Sequence, residues 1–266
     1  MSLNLDSLAI RQATHDDAAN IATLFAENGN PYNWTADKWL HYYQGYTEGD
    51  ASAIIAEFNG KVIGHYGLLP VKLGFYPAFL GMHAYVAKDY RGLSILSPLM
   101  SEVDSYVQCS DAKIICGFAN PQFSLIKKTF FQWKILLWLG FKSSLERADL
   151  VHESAKFYFS YSKEWFHWRF GEEKNAYVSR YVRGDGESRI QFLKAFPGKP
   201  LLSDSDLVHC EGWSPKLYFD KKPEKTFAQP FSTKVYDKSL IEKGIYDPSN
   251  WFLEMGDSDT FQYNPL

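Results

Sequence analysis

The stretch Ala78–Asn120 reads AFLGMHAYVAKDYRGLSILSPLMSEVDSYVQCSDAKIICGFAN. A β-rich run ends at Val86. A turn bearing Arg91 and Gly92 follows, then an amphipathic pattern from about Ile95 to Val107, then a second apolar run, Lys113–Phe118. Strand, basic glycine-bearing turn, helix, strand is the layout of a backbone anion cradle. The unpaired N–H groups at a helix start and the positive end of its dipole together attract phosphate.

The rest of the chain sets the bounds. With 266 residues there is room for a large core and for a second unit beside the first. The net charge of -3, without a long basic run, disfavours nucleic acid as the main partner. The three cysteines, Cys109, Cys116 and Cys210, show no zinc-type spacing, so no metal is expected. A reduced, cytoplasmic protein is the simplest reading. No basic segment followed by an apolar core opens the sequence, so no signal peptide is expected. The longest apolar run, Ile135–Gly140, is too short to span a bilayer. Aromatic residues make up 17% of the chain, enough for an aromatic core or a stacking surface.

Leu8–Ala13 predicts a first strand. Thr14 caps a helix with Asp16 and Asp17 in its first turn, and Ala18, Ile21, Leu24 and Phe25 recur at helical spacing. Thr35 caps a second helix reaching about Tyr46. Ser52–Glu57 and Val62–Leu73 are β-like and joined by Asn59-Gly60, a strong hairpin signal. Phe75–Ala87 is the next strand. A short helix near Phe123–Thr129 and a strand over Lys134–Phe141 complete the first part. Further on, Tyr161–Phe170 is helix-like and aromatic. Tyr177–Arg183, Arg189–Phe196 and Leu207–Cys210 predict strands, and Lys234–Gly244 a helix.

The order β-α-α-β-β-β-α-β-α-β over residues 8–145 resembles the GNAT acetyltransferase superfamily element by element. IRQATHDDAANIATLF resembles its first strand and helix, AEFNGKVIGHYGLLP its second hairpin, and GFANPQ the end of its fifth strand. WRF and the terminal GDSD resemble the C-terminal half of two-part members. The resemblance implies an α+β fold of the α/β sandwich kind, a mixed, mostly antiparallel sheet flanked by helices, with a second, smaller α+β unit. Residues 1–145 would form the acetyltransferase domain. Residues 146–266 would form a GNAT-like domain, acceptor-side or structural, without a recognisable cofactor loop.

The same resemblance implies acetyl-CoA as donor and direct transfer to a small amine such as an amino sugar or amino acid. The protein would be a monomer or homodimer, without a nucleic-acid or membrane partner. Val86 would pair its backbone with pantetheine, and Arg91, Gly92, Leu93, Ser94, Ile95 and Leu96 would form the pyrophosphate loop. Ser94 stands where the family has a glycine. Leu96 replaces a small residue and crowds the pyrophosphate. Ser97-Pro98 reads equally well as a cap and first helical residue, which would start the helix later. Asn120 matches the asparagine that contacts the cofactor arm, or is a turn residue before Pro121. No tyrosine occurs between Tyr106 and Tyr158, so the family's usual thiolate acid is missing. Lys127 or Lys128 stands in that place, or binds the 3′-phosphate of CoA.

His83 is the candidate general base, because imidazole titrates near neutral pH; the alternative is a hydrogen-bonded strand histidine. Tyr85 is the second candidate, with its parity read as opposite, so that one of the two faces the substrate unless a bulge intervenes. Cys116, in an apolar strand, reads as core. Trp165, Trp168 and Arg169 read as core plus a salt bridge, and Asp257 and Asp259 as a turn. His65 and His152 have no partner that the sequence names. A non-catalytic CoA- or ligand-binding module is a second reading. An aminoacyl-tRNA-dependent transferase is a third, opposed by the charge.

Overall fold

The computed structural model describes residues 7–29, 34–144, 155–160, 162, 165, 168, 177–184, 187–194, 216–220 and 229–253. The chain divides into two units. One comprises Met1–Val71 with Pro77–Cys116, the other Lys72–Tyr76 with Gly117–Leu266.

In the first unit, strand β1 (Leu8–Gln12) leads into helix α1 (Ala18–Glu27) through a 3-10 turn, His15–Asp17. The Asp17 carboxylate accepts from the Thr14 N–H (2.8 Å) and the Thr14 hydroxyl (3.0 Å), which stops the strand and starts the helix. Helix α2 (Ala36–Tyr43) is capped by Thr35, whose side chain accepts from Lys38 N–H. Strands β2 (Ser52–Phe58) and β3 (Lys61–Leu73) form an antiparallel hairpin. Its turn residues have φ of 50° at Asn59 and 74° at Gly60. Positive φ at both central positions matches the twist of the flanking strands. Strand β4 (Tyr76–Val86) follows, then helix α3 (Leu93–Cys109) and strand β5 (Ile114–Phe118). The strand order is β1-β2-β3-β4-β5, and β4 and β5 run parallel at Phe79↔Ile115 and Leu80↔Cys116. Helix α3 lies over Gly64 of β3, where an added Cβ would meet Leu99 Cδ2 at 3.5 Å and Ile95 Cγ2 at 3.7 Å.

In the second unit, helix α4 (Pro121–Phe130) precedes strand β6 (Lys134–Ser144). Strands β7 (Phe157–Ser160), β8 (Tyr177–Gly184), β9 (Glu187–Lys194), β10 (Lys216–Asp220), β11 (Gln229–Val235) and β12 (Trp251–Phe252) follow, with helix α5 (Lys238–Glu242) after β11. Strand β6 lies between β11 and β10, antiparallel to both. The expected helix over Lys234–Gly244 is therefore shorter. Its first two residues end β11, and Asp237 caps α5 through Ser239 N–H. β-branched Thr233 and Val235 explain why the strand persists. Strands β7, β10, β11 and β12 are not anticipated by the sequence reading. The predicted strand Leu207–Cys210 and residues His152, Arg169, Asp257 and Asp259 lie outside the described residues.

Aromatic residues build cores. Phe157 stacks on Trp251 at 5.2 Å, Phe231 meets Trp251 edge-on at 5.0 Å, and Phe118 lies 4.9 Å from Phe231. Trp165 and Trp168 are buried with their rings 6.2 Å apart, as core residues. Cys116 is buried, with Sγ 3.6 Å from the Phe79 carbonyl.

One ion cluster anchors the start of the first unit. The Arg11 guanidinium donates to both Asp17 oxygens at 2.8 and 2.7 Å and to Glu57 at 2.6 Å. This fork holds the buried Asp17 carboxyl down at a pKa of about 2, against 3.8 for a free aspartate. The folded value is the lower one. The stabilisation is therefore complete above about pH 4 and is lost as pH falls through 2, amounting to about 2 kcal/mol. Urea unfolding of Asp17→Asn should show a loss of that order at pH 7, shrinking toward zero near pH 2. An equal loss at both pH values would contradict the fork.

Candidate active site

Helix α3 begins at Leu93, two residues before the expected start near Ile95. Gly92 is its N-cap, with φ 157° and ψ 173°, a backbone region open to glycine. Pro98 lies inside the helix and does not begin it. Having no N–H, it leaves the Ser94 carbonyl without its helical partner. The Leu96 N–H donates to the Gly92 carbonyl at 3.0 Å, closing the first turn. The amides of Leu93, Ser94 and Ile95 are therefore the first-turn donors without an intrahelical acceptor. Gly92, Leu93 and Ser94 are exposed, and Ile95 is fully buried. Leu96, expected in the pyrophosphate loop, is half-buried and its amide is engaged, so it offers no donor to a phosphate.

Arg91 is exposed beside this turn. Its Nε donates to the Val86 carbonyl and its terminal nitrogen to Asn28 Oδ1, both at 3.3 Å. Bonds of that length are weak. Arg91 is thus held at the end of β4, near the exposed residues Leu93 and Ser94 that open α3.

A second group of residues surrounds His83 on β4. Its φ of 50° is in the left-handed region, which costs a side-chain-bearing residue about 1–2 kcal/mol. His83 is 8% exposed. Its Nδ1 lies 3.0 Å from the Tyr43 hydroxyl. Its ring meets Trp34 at 4.8 Å, Tyr42 at 5.4 Å and Phe25 at 6.0 Å. Tyr85 also lies on Phe25, at 4.5 Å. Both candidates therefore share Phe25 as a neighbour, contrary to the expected opposite facing. Residues two apart lie on one side of a regular strand, so parity never separated them. Among the described residues Trp34 Nε1 is buried with no hydrogen-bond acceptor, an unsatisfied donor on a ring that meets the imidazole.

His65, for which no partner is named from sequence, lies one strand over and is fully buried. Its Nε2 accepts from Trp39 Nε1–H at 3.1 Å, and its Nδ1 lies 2.7 Å from the His83 carbonyl. An indole only donates and a carbonyl only accepts, so the ring is neutral with its proton on Nδ1. Burial lowers its pKa to about 3. The unfolded chain binds this proton near pH 6.5 and the folded chain does not. Stability is therefore full above 6.5 and falls as pH drops toward 3, by about 2 kcal/mol between pH 7 and 5. Urea midpoints at those two pH values should show this loss in the wild type and not in His65→Asn. Equal pH dependence in the two proteins would contradict the assignment. The sequence signal for this group was one histidine inside an apolar strand, VIGHYGLL, and Trp39 and Tyr43 at helical i,i+4 spacing.

In the second unit, Asn120 caps α4, its side chain accepting from Phe123 N–H at 2.7 Å. That is the turn role weighed for it. Lys127 is 2% exposed, with its ammonium 3.9 Å from the Trp133 ring centroid. A lysine so buried is not presented to a cofactor phosphate, because it lies on the inward face of α4 with Ser124. Lys128 is exposed. Among the described residues no group of three or more His, Cys, Asp or Glu is placed to hold a metal ion. No described helix is long and apolar enough to cross a membrane.

No protein-family model matches the chain, and no curated protein matches it in sequence. Solved structures do match. A protein from Pyrococcus horikoshii, provisionally assigned as an acetyltransferase, superposes with a TM-score of 0.56 at 13% identity, over 97% of this chain and 98% of that one. A conserved protein of unknown function from Enterococcus faecalis V583, provisionally assigned as an N-acyltransferase, superposes with a TM-score of 0.58 at 8% identity, over 86% of this chain and 73% of that one. With these likenesses, the mixed and mostly antiparallel strand order and the placement of α3 between β4 and β5, the chain has the GNAT fold.

Proposed function

We propose that this protein is an acetyl-CoA-dependent N-acyltransferase acting on a small amine. The observation that carries the reading is the start of α3 at Leu93, which leaves the amides of Leu93, Ser94 and Ile95 as donors at the end of the β4–α3 connection, beside Arg91. First-turn amides without an intrahelical acceptor, the helix dipole and a guanidinium suit a pyrophosphate. Val86 would meet the pantetheine arm where β4 runs beyond its parallel pairing with β5.

In this reading the amine nitrogen attacks the thioester carbonyl, a C–N bond forms, and the C–S bond breaks to release the CoA thiolate. His83 takes the ammonium proton, directly or through a water. Tyr43 engages Nδ1, so Nε2 would be the accepting atom. The strained backbone of His83 and the unsatisfied Trp34 donor beside it support a working site at this point, since strain and orphan donors gather at functional sites. Tyr85 would line the same side, against Phe25. The acid for the thiolate is water in this scheme, because α4 has no tyrosine and Lys127 is buried.

The buried Lys127 and the missing tyrosine also favour a second reading, a CoA-binding module without turnover. Calorimetric titration with acetyl-CoA and free CoA, followed by a screen of amine acceptors, separates the two. Binding with thiol release in the presence of an amine supports transfer. Binding without release under any acceptor supports the module. No binding of either compound overturns both.

A further inference from the structure

We infer that His65 is a positioning residue for His83, and that helix α2 holds both the backbone and the ring of that histidine. His83 sits in the left-handed region in the middle of a strand, a conformation that persists only where its surroundings fix it. Two contacts do so. The His65 Nδ1–H donates to the His83 carbonyl at 2.7 Å, and the Tyr43 hydroxyl lies 3.0 Å from His83 Nδ1. Both lead back to α2. Trp39 holds His65 through its indole N–H, and Trp39 and Tyr43 stack on each other at 4.8 Å, one helical turn apart. The contacts form a closed loop of Trp39, His65, His83 and Tyr43. His65 cannot rotate without losing a bond at each nitrogen. Because it is neutral and donates from Nδ1, it is a fixed post for the carbonyl and not a proton carrier. The consequence for acyl transfer rests on the reading of His83 as the base; the placement of His83 by His65 does not.

The test uses the full chain with 15N-labelled imidazoles, read by long-range proton–nitrogen correlation at pH 7. The wild type should show His65 as the neutral Nδ1–H tautomer. His65→Leu removes the donor and should move the His83 ring-nitrogen signals. His65→Asn, whose amide N–H can replace Nδ1–H, should leave them at wild-type positions. Acetyl-CoA affinity should stay within about twofold in both variants, because the α3 cradle uses none of these residues. With an accepted amine, kcat in His65→Leu should fall about tenfold or more at unchanged KM for acetyl-CoA, and His65→Asn should recover it. An Nε2–H or charged His65 in the wild type overturns the inference, whether or not any variant folds. So do unmoved His83 signals in His65→Leu. These spectra need no activity, so a failure of the acyltransferase reading is seen separately, as absent acetyl-CoA binding or absent thiol release.

Discussion

Ser94→Glu should weaken acetyl-CoA binding by about 100-fold or more while leaving the fold intact. Ser94 is the second residue of α3, exposed, and its amide is one of the three first-turn donors. A glutamate there brings its own carboxylate to the amides that would hold the pyrophosphate and repels the incoming charge. The same charge suits the positive end of the helix dipole, worth about 0.3–1 kcal/mol in favour of folding. Binding and stability therefore move in opposite directions, which an unfolded or misfolded variant cannot imitate. Leu96→Glu is a poorer probe, because Leu96 is half-buried and its amide closes the first turn. Calorimetry with acetyl-CoA and a urea melt of the same preparation give the two numbers. Wild-type affinity in Ser94→Glu would remove the cradle from the reading.

What the sequence disclosed follows from the range of each interaction. Asn59-Gly60, the Thr14 and Thr35 caps and the apolar runs of β2 and β3 are local signals, and the hairpin and the two helix starts lie close to the expected places, although α1 opens with a 3-10 turn and α2 stops at Tyr43. The start of α3 is read two residues late, and the alternative start at Ser97-Pro98 rests on proline being normally a first-turn residue. Here it is tolerated inside the helix, with only the Ser94 carbonyl losing a bond. In the second unit, β7 is held by Leu73 and by Trp251, far away in sequence, so its four residues carried no readable pattern of their own. The residues proposed for the cradle can be picked out because they are consecutive. The group around His83 cannot, because it joins α1, α2, β3 and β4, and neither His65 nor Tyr43 has a motif to announce it. His83 itself is singled out by the chemistry of imidazole, whereas its left-handed backbone and its partners are properties of the fold alone.

Gly67→Ala should destabilise the protein by about 2–4 kcal/mol and separate Tyr43 from His83. Gly67 lies in the interior of β3, where glycine ordinarily weakens a strand. Its reason is steric. A Cβ placed there would lie 1.8 Å from the Tyr43 hydroxyl oxygen, 2.7 Å from Cζ and 3.0 Å from Cε1. Tyr43 cannot yield easily, since it is 4% exposed and stacked on Trp39. If it moves, the 3.0 Å contact between its hydroxyl and His83 Nδ1 is lost within a ring of aromatic side chains. If it does not, β3 must bow away from α2. The two costs are resolved by a double-mutant cycle in urea. In a Tyr43→Ala background the clash is gone, so adding Gly67→Ala should cost less than about 1 kcal/mol, or stabilise slightly through the restricted unfolded chain. A cost that is the same in both backgrounds would show that Gly67 serves the backbone and not the tyrosine. Acetyl-CoA affinity is the control, expected within about twofold of wild type because Leu93, Ser94 and Ile95 take no part in this contact.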